Sequence, residues 1–139
     1  MSTRALVVND DGIGAAGIRH LADVACEAGL EVVVAAPLRE SSGSSAALTA
    51  SQVDGRIVVE RQTFDGLDGV PVYGVDAAPA FIALIASRGA FGPPPEIVLS
   101  GINRGLNTGH AVLHSGTVGA AMPAIASAIN IHGAITFTS

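Results

Sequence analysis

The sequence predicts a three-layer αβα domain with a mostly parallel β-sheet. Predominantly apolar runs, typical of strands buried on both faces of a sheet, occur at residues 5–8, 31–36, 96–100 and 134–139. A stretch with helical periodicity separates the first two runs, and a strand, a helix and a strand in succession form a βαβ unit with parallel strands. The composition is 49% apolar but only 4% aromatic, which suits helices packed closely on a sheet. These observations indicate a Rossmann-like fold.

The N-terminal part of the chain is interpreted as a strand, a helix and a second strand. Apolar side chains recur at helical spacing over residues 15–28, and Gly29 is suited to end that helix. The second strand, residues 31–36, is closed by Pro37. The serine-rich residues 38–51 predict a long loop over the edge of the sheet.

The remaining chain alternates strands and helices after one excursion. Short β-prone runs around Asp-Gly turns in residues 52–75 predict a small antiparallel excursion. Residues 79–88 predict a helix with a proline in its first turn, ahead of the strand at residues 96–100. A last helix is predicted over residues 118–130, before the final strand. We expect a single domain that spans residues 1–139.

Composition and charge exclude several classes of protein. The net charge is −5 and there is no lysine, whereas a nucleic-acid-binding surface requires clusters of basic residues. No apolar run reaches the roughly 18 residues of a membrane span, and the N-terminus lacks the pattern of a signal peptide. We therefore expect a cytoplasmic protein without a membrane partner. Cys26 is the only cysteine, and its surroundings favour a small core residue over a nucleophile.

Polar residues follow the predicted core strands, at the sheet edge where open α/β proteins bind ligands. Asn9, Asp10 and Asp11 come directly after the first strand. Adjacent carboxylates repel each other and lose solvation, so a divalent cation is expected beside them. The alternative is that they form a turn and cap the next helix. The loops at residues 40–45 and 100–109 add hydroxyl and amide oxygens, a donor set that favours Mg²⁺, Mn²⁺ or Ca²⁺ over a structural zinc.

A fourth polar segment, residues 114–117, opens the last predicted helix. The free backbone N–H groups and the positive end of the helix dipole make such a start an anion site. A metal beside an anion site points to phosphate chemistry.

A glycine pattern offers a competing interpretation. Residues 12–17 read Gly-Ile-Gly-Ala-Ala-Gly and match the dinucleotide-binding fingerprint between a strand and a helix. However, Asp10 and Asp11 would stand where the pyrophosphate should approach, and the second strand ends without the acidic residue that holds a ribose. A nicotinamide or flavin binder is therefore disfavoured, as is a receiver domain, which needs a lysine near its last strand.

Four blocks of the sequence carry a resemblance to a known family. They are Leu6-Val7-Val8-Asn9-Asp10-Asp11-Gly12 with Gly17-Ile18, Ala36-Pro37 leading to Ser42-Gly43-Ser44-Ser45 and Leu48-Thr49, Ser100-Gly101-Ile102-Asn103-Arg104-Gly105 with Asn107 and Gly109, and Ser115-Gly116-Thr117-Val118. In this order and at this approximate spacing, the blocks resemble the survival protein SurE family. The resemblance implies a metal-dependent 5'/3'-nucleotidase, an acid-phosphatase-like enzyme acting on nucleoside monophosphates.

The resemblance also implies a role for each residue of the site. The ligands of one divalent cation, Mg²⁺ or Mn²⁺ with Ca²⁺ as a substitute in crystals, would be Asp10, Asp11, Ser42 and Asn103. The groups that hold the substrate phosphate would be Asn107, Ser115, Gly116 and Thr117, with Asn9 supporting the site. The catalytic residues would be Asp10 and Asp11, with Asp10 the better candidate to orient the attacking water.

Family members are nearly twice as long as this chain, and their second half supplies dimer and tetramer contacts. The resemblance thus implies a homodimer or tetramer, although the chain is expected to lack that half. A rival hypothesis follows: a truncated, catalytically silent module that still binds a metal or a nucleotide. His110 and His114 stand where the family more often has an acid and a tyrosine, so a proton-donor role for either histidine is a further hypothesis.

Overall fold

The structure is a computed structural model, and it describes residues 2–39, 52–53, 56–103 and 132–137. Its helices and strands, in chain order, are β1 (Arg4–Val8), α1 (Ala16–Glu27), β2 (Glu31–Pro37), β3 (Gln52–Val53), β4 (Arg56–Ile57), β5 (Val59–Gln62), β6 (Val72–Val75), α2 (Pro79–Ser87), β7 (Ile97–Asn103) and β8 (His132–Phe137). Within these ranges, no helix is long and apolar enough to cross a membrane.

Six strands form one sheet in the order β5-β6-β2-β1-β7-β8. The strand β1 pairs in parallel with β2 on one side and with β7 on the other, and the pairs β2–β6 and β7–β8 are also parallel. The chain thus moves outward from β1 to β2 and β6, and later returns to the other side of β1 as β7. Such a reversal of strand order creates a switch point between β1 and β7, where open α/β sheets bind their ligands.

The side chains of β1 alternate between two hydrophobic cores. Val7 packs with Ile18 of α1 on one face of the sheet, and Leu6 and Val8 pack with Ile82 of α2 on the other. The alternation arises because successive side chains of a strand point to opposite faces. Since α1 and α2 cover opposite faces, the predicted three-layer αβα fold with a mostly parallel sheet is confirmed.

Most of the predicted elements are present with small shifts of their ends. The helices predicted over residues 15–28 and 79–88 are α1 and α2, each shorter by one or two residues. The strand predicted to end at Ser100 continues to Asn103, because its backbone keeps pairing with β8 as far as Phe137. Of the loop predicted over residues 38–51, only residues 38–39 are described, and the predicted helix at residues 118–130 lies outside the described residues.

The predicted antiparallel excursion is present, but its last strand has a second role. Among the described residues, the strands β3 and β4 form a separate two-stranded sheet, and β5 pairs antiparallel with β6. However, β6 also pairs in parallel with β2, with Val72 beside Val34, and the Val34 N–H donates to the Pro71 carbonyl at 2.9 Å. The excursion therefore returns to the main sheet and extends it.

Candidate functional site

The polar turn after β1 is closed by the side chain of Asn9. This side chain is fully buried; its amide nitrogen donates to the Gly12 carbonyl at 2.9 Å, and its Oδ1 accepts the Gly12 N–H at 3.2 Å. Gly12 has a φ of 101°, a left-handed conformation that glycine adopts without steric cost. Asn9 therefore holds the turn in which Asp10 and Asp11 lie.

Asp10 and Asp11 sit inside this closed turn and are withdrawn from solvent. Asp10 is only 4% exposed, and Asp11 is half-buried with its Oδ2 atom fully buried. Burying an ionised carboxylate is costly unless hydrogen bonds or a positive charge compensate it. Two neighbouring carboxylates held in this way at a strand end are suited to a hard divalent cation.

The end of β7 lies beside this turn. Ser100 is fully buried and pairs in register with Val8, the last residue of β1. Gly101 follows with a φ of 142°, and the backbone of β7 continues to Asn103. Since β1 and β7 are adjacent and parallel, the segment from Asn9 to Asp11 lies beside the last residues of β7, from Gly101 to Asn103.

The end of β2 is tied to the same edge by backbone hydrogen bonds. The N–H of Ile13, just before α1, donates to the Pro37 carbonyl at 2.7 Å. The Leu38 N–H donates to the Val75 carbonyl of β6 at 3.0 Å. These contacts anchor the start of the segment that leads to Ser42, whose own position lies outside the described residues.

The structure brings together part of the predicted site. Asn9, Asp10 and Asp11 share one turn, and Asn103 ends the neighbouring strand, although only its backbone is described. The predicted site residues outside the described ranges are Ser42, Asn107, Ser115, Gly116 and Thr117, together with His110 and His114. Within the described part of the chain, His, Cys, Asp and Glu residues form no group of three or more that could hold a metal ion. Asp10 and Asp11 supply two carboxylates that suit a hard cation, and the predicted ligand set of Asp10, Asp11, Ser42 and Asn103 remains a prediction.

Cys26 of α1 does not belong to this site. Burial, followed by the negative charge of Asp23, raises the pKa of the Cys26 thiol above its usual value. A thiol with a raised pKa stays protonated at neutral pH and is a poor nucleophile. This supports the interpretation of Cys26 as a small packing residue.

Sequence reasoning missed a groove beside α1, here named the α1 groove. It has a volume of about 1100 Å³ and runs between residues 13–23, around the first half of α1, and residues 62–67, which follow β5. The Arg19 guanidinium links the two walls by donating to the Asp65 carbonyl. The only local signal was the run of small residues at positions 14–17, which by itself is equally typical of close helix packing.

The fold and the turn define a class: α/β proteins with a pair of carboxylates at the switch point of a mostly parallel sheet. Within that class, the family model described as "Survival protein SurE" matches residues 5–136. The chain therefore belongs to the survival protein SurE family.

Individual relatives agree with this assignment. The chain is 39% identical over 134 residues to a "5'-nucleotidase SurE" from Nostoc sp. (strain PCC 7120), a match that covers 91% of this chain and 49% of the relative. It is 46% identical over 119 residues to a "5'-nucleotidase SurE" from Stenotrophomonas maltophilia (strain K279a), covering 86% of this chain and 42% of the relative. The chain thus spans about half the length of the curated relatives it matches.

A solved structure shows the same fold. The crystal structure of the SurE protein from Aquifex aeolicus superposes with a TM-score of 0.70 at 35% sequence identity. The superposition covers 86% of this chain and 45% of that chain.

Proposed function

We propose that this chain carries the metal-binding and catalytic site of a phosphohydrolase that removes phosphate from nucleoside 5'- and 3'-monophosphates. The observation that carries the proposal is the adjacent pair of the buried Asp10 and the half-buried Asp11 at the switch point between β1 and β7. The similarity to proteins named 5'-nucleotidase SurE supports the choice of substrate.

The proposed mechanism assigns one task to each part of the site. Asp10 and Asp11 would hold the cation, and Ser42 and Asn103 would complete its ligand set. A bound Mg²⁺ or Mn²⁺ in such a site supplies a more acidic bound water and positive charge that neutralises the transferring phosphoryl group. Asp10 orients the attacking water. The amide of Asn107 and the turn Ser115-Gly116-Thr117 hold the phosphate oxygens.

The burial of the turn contributes to this chemistry. Electrostatic interactions are stronger in a site shielded from water, and dipoles that are already fixed need no reorganisation during the reaction. The two hydrogen bonds between Asn9 and Gly12 fix the backbone that carries both carboxylates. In the proposed enzyme, Asn9 therefore acts through the turn and positions its catalytic neighbours.

The second candidate is a non-catalytic module that binds a metal or a nucleotide without hydrolysing it. The observation in its favour is that the chain spans about half the length of its curated relatives. In this hypothesis, turnover and the homodimer or tetramer expected from the family resemblance both require residues beyond the part of the relatives that this sequence matches.

The deciding experiment measures phosphate release from a panel of nucleoside 5'- and 3'-monophosphates, with Mn²⁺, with Mg²⁺ and with EDTA. The enzyme hypothesis predicts turnover that EDTA abolishes and that either metal restores. If the folded chain binds Mn²⁺ but releases no phosphate, the binding module is the correct function. Turnover that survives EDTA would contradict the metal-dependent mechanism.

A further inference from the structure

The end of β6 lies at the same carboxyl edge of the sheet as the end of β1, with β2 between them, because the three strands are parallel. Its last residue, Val75, pairs in register with Pro37, the last residue of β2. The next residue, Asp76, is held from the side of β5, since its N–H donates to the Val58 carbonyl at 3.0 Å. The end of β6 is therefore a fixed surface beside the end of β2.

Leu38, the first residue after β2, packs directly on β6. A Cβ built at Gly74 lies only 2.5 Å from the Leu38 Cδ2 atom and 3.3 Å from its Cγ atom. The Leu38 side chain thus takes the space that a side chain at position 74 would fill, and glycine in a strand often marks such a close approach. Leu38 also donates its N–H to the Val75 carbonyl at 3.0 Å. A backbone contact and a side-chain contact together fix Leu38 on β6.

Arg39 adds an ion pair to this contact. Its Nη2 atom lies 3.7 Å from the Oδ2 atom of Asp76. The Asp76 side chain is 26% exposed, whereas the Arg39 side chain is 82% exposed. Exposed ion pairs contribute little to the stability of a whole protein, but this one ties Arg39, two residues beyond the end of β2, to the fixed end of β6.

The end of β2 is also linked to the candidate site. The Ile13 N–H donates to the Pro37 carbonyl at 2.7 Å, and Ile13 follows Asp11 by two residues. Along the chain, Arg39 precedes by three residues Ser42, to which the proposed function assigns a metal-ligand role. A displacement of the end of β2 would therefore reach the turn after β1 through one hydrogen bond, and Ser42 through three residues of chain.

We propose that Gly74 and Asp76 are positioning residues of the candidate metal site. They act through Leu38 and Arg39, whose place at the end of β2 they fix. This inference rests on the proposed function, and it adds a support on β6, a strand that contributes no proposed ligand. Residues that hold metal ligands in place commonly change the metal affinity tenfold or more when they are replaced.

Substitutions in the ion pair test the proposal, because position and charge predict opposite results for Arg39. Both Asp76→Asn and Arg39→Gln break the pair, so we expect each to weaken Mn²⁺ binding about threefold, measured by titration calorimetry. If the pair acted only through its charges, Arg39→Gln would remove a positive charge and strengthen Mn²⁺ binding. Equal or tighter binding by Arg39→Gln would therefore overturn the role of Asp76.

Glu96→Gln is the matched control for the ion-pair variants. It breaks an exposed ion pair with Arg4 at the amino ends of the strands, and it should leave the Mn²⁺ affinity at the wild-type value. A loss of affinity as large as that of Asp76→Asn would show that any broken surface pair has this effect, and would overturn the proposal.

Gly74→Ala tests the same support without a change of charge. The added methyl group displaces Leu38, and we expect Mn²⁺ binding to weaken about tenfold. In a Leu38→Ala background the methyl group no longer meets the Leu38 Cγ and Cδ2 atoms, so Gly74→Ala should change the affinity by less than about twofold. Gly14→Ala adds a methyl group in open space and should bind Mn²⁺ as the wild type does. An equal loss in both backgrounds, or none in either, would overturn the role of Gly74.

Hydrogen exchange of the Leu38 amide tests the anchoring without metal or substrate. Its N–H is bonded to the Val75 carbonyl, and its exchange rate reports how often the end of β2 leaves β6. We expect faster exchange in Gly74→Ala and in Asp76→Asn than in the wild type and in Glu96→Gln. Exchange at the wild-type rate in both variants would refute the anchoring.

The combination of Mn²⁺ binding and phosphate release separates the failure of this inference from the failure of the proposed function. If the wild type binds Mn²⁺ but releases no phosphate, and Gly74→Ala binds it about tenfold more weakly, the positioning role stands and the enzyme assignment fails. If the wild type hydrolyses nucleotides and all variants bind Mn²⁺ equally, the enzyme assignment stands and the positioning role fails. A wild type that binds no Mn²⁺ would refute both.

Discussion

Polar groups are exposed to solvent at the amino ends of the two central strands and buried toward their carboxyl ends. At the amino ends, Arg4 and Glu96 form an ion pair at 3.4 Å, with side chains that are 37% and 46% exposed. At the carboxyl ends of the same two strands, Asn9, Asp10 and Ser100 are almost completely buried. Exposed ion pairs contribute little to stability, whereas buried polar groups carry a large desolvation cost.

This comparison shows at which end of the strands the fold buries polar groups at a cost in desolvation free energy. Arg4 and Glu96 remain solvated, and Arg4 also donates to the Pro94 carbonyl at 3.0 Å. Both groups can change without leaving a buried charge. The carboxyl ends instead hold the almost completely buried Asp10 beside the half-buried Asp11. Polar groups at this edge of an open α/β sheet are typical of ligand sites, and the following predictions test that interpretation.

Replacing a carboxylate of the buried turn should have the largest effect. Asp10→Asn removes a proposed metal ligand and the group that orients the water, so we expect phosphate release to fall at least about a hundredfold. The free energy of unfolding should change by less than about 1 kcal/mol, because asparagine keeps the shape of the side chain and relieves the carboxylate repulsion with Asp11.

Asp10→Asn is measured by phosphate release and urea unfolding. Asp68→Asn, at an exposed turn, is the matched control and should keep wild-type activity. Full activity of Asp10→Asn would show that Asp10 does not have the proposed catalytic role.

Removing the side chain that closes the turn should cost the most stability. Asn9→Ala deletes both hydrogen bonds to Gly12 and removes the acceptor of the buried Gly12 N–H, while the Gly12 carbonyl still accepts the Ala15 N–H at 3.2 Å; we expect a loss of about 2 kcal/mol. Urea denaturation measures the change. We also expect weaker Mn²⁺ binding, because the backbone that carries Asp10 and Asp11 is no longer fixed. Wild-type stability of this variant would contradict the described turn.

Substitutions at two glycines of the same segment should distinguish the effect of a left-handed backbone from the effect of adding a methyl group. Gly12→Ala places a side chain at a φ of 101°, which costs about 1 kcal/mol or more. Gly14→Ala adds the same methyl group in open space and should be neutral or slightly stabilising. The melting temperatures of the two variants are compared by thermal unfolding. Equal melting temperatures would show that position 12 does not require a glycine.

Substitutions at the exposed amino ends of the strands should have the smallest effect on stability. Glu96→Gln breaks the exposed ion pair with Arg4, and we expect a loss below about 0.5 kcal/mol. The difference should shrink further at high salt, because salt screens exposed charges. Urea unfolding at low and high ionic strength measures both quantities. A loss of unfolding free energy as large as that expected for Asn9→Ala would show that the two ends of the strands do not differ in this way.

Much of the fold could be predicted from local patterns. Apolar runs indicated β1, β2 and β7, helical spacing indicated α1, and a proline with apolar neighbours indicated α2. The sequence was sufficient to predict that Asn9, Asp10 and Asp11 lie together at the end of β1, because all three follow directly after that strand. The roles of Ser42, Asn103, Asn107 and the turn at residues 115–117 came from the family resemblance, and they remain predictions.

The sequence by itself determined which segments become strands and helices, and which polar residues stand at a strand end, because these properties depend on neighbours within a few positions. Only the tertiary structure decided that β6 joins the main sheet, that β7 returns beside β1, and that α1 and residues 62–67 enclose a groove. These features arise from pairing between segments far apart in the chain. Local hydrophobic patterns do not specify such partners, since a strand buried on both faces can pair with several others.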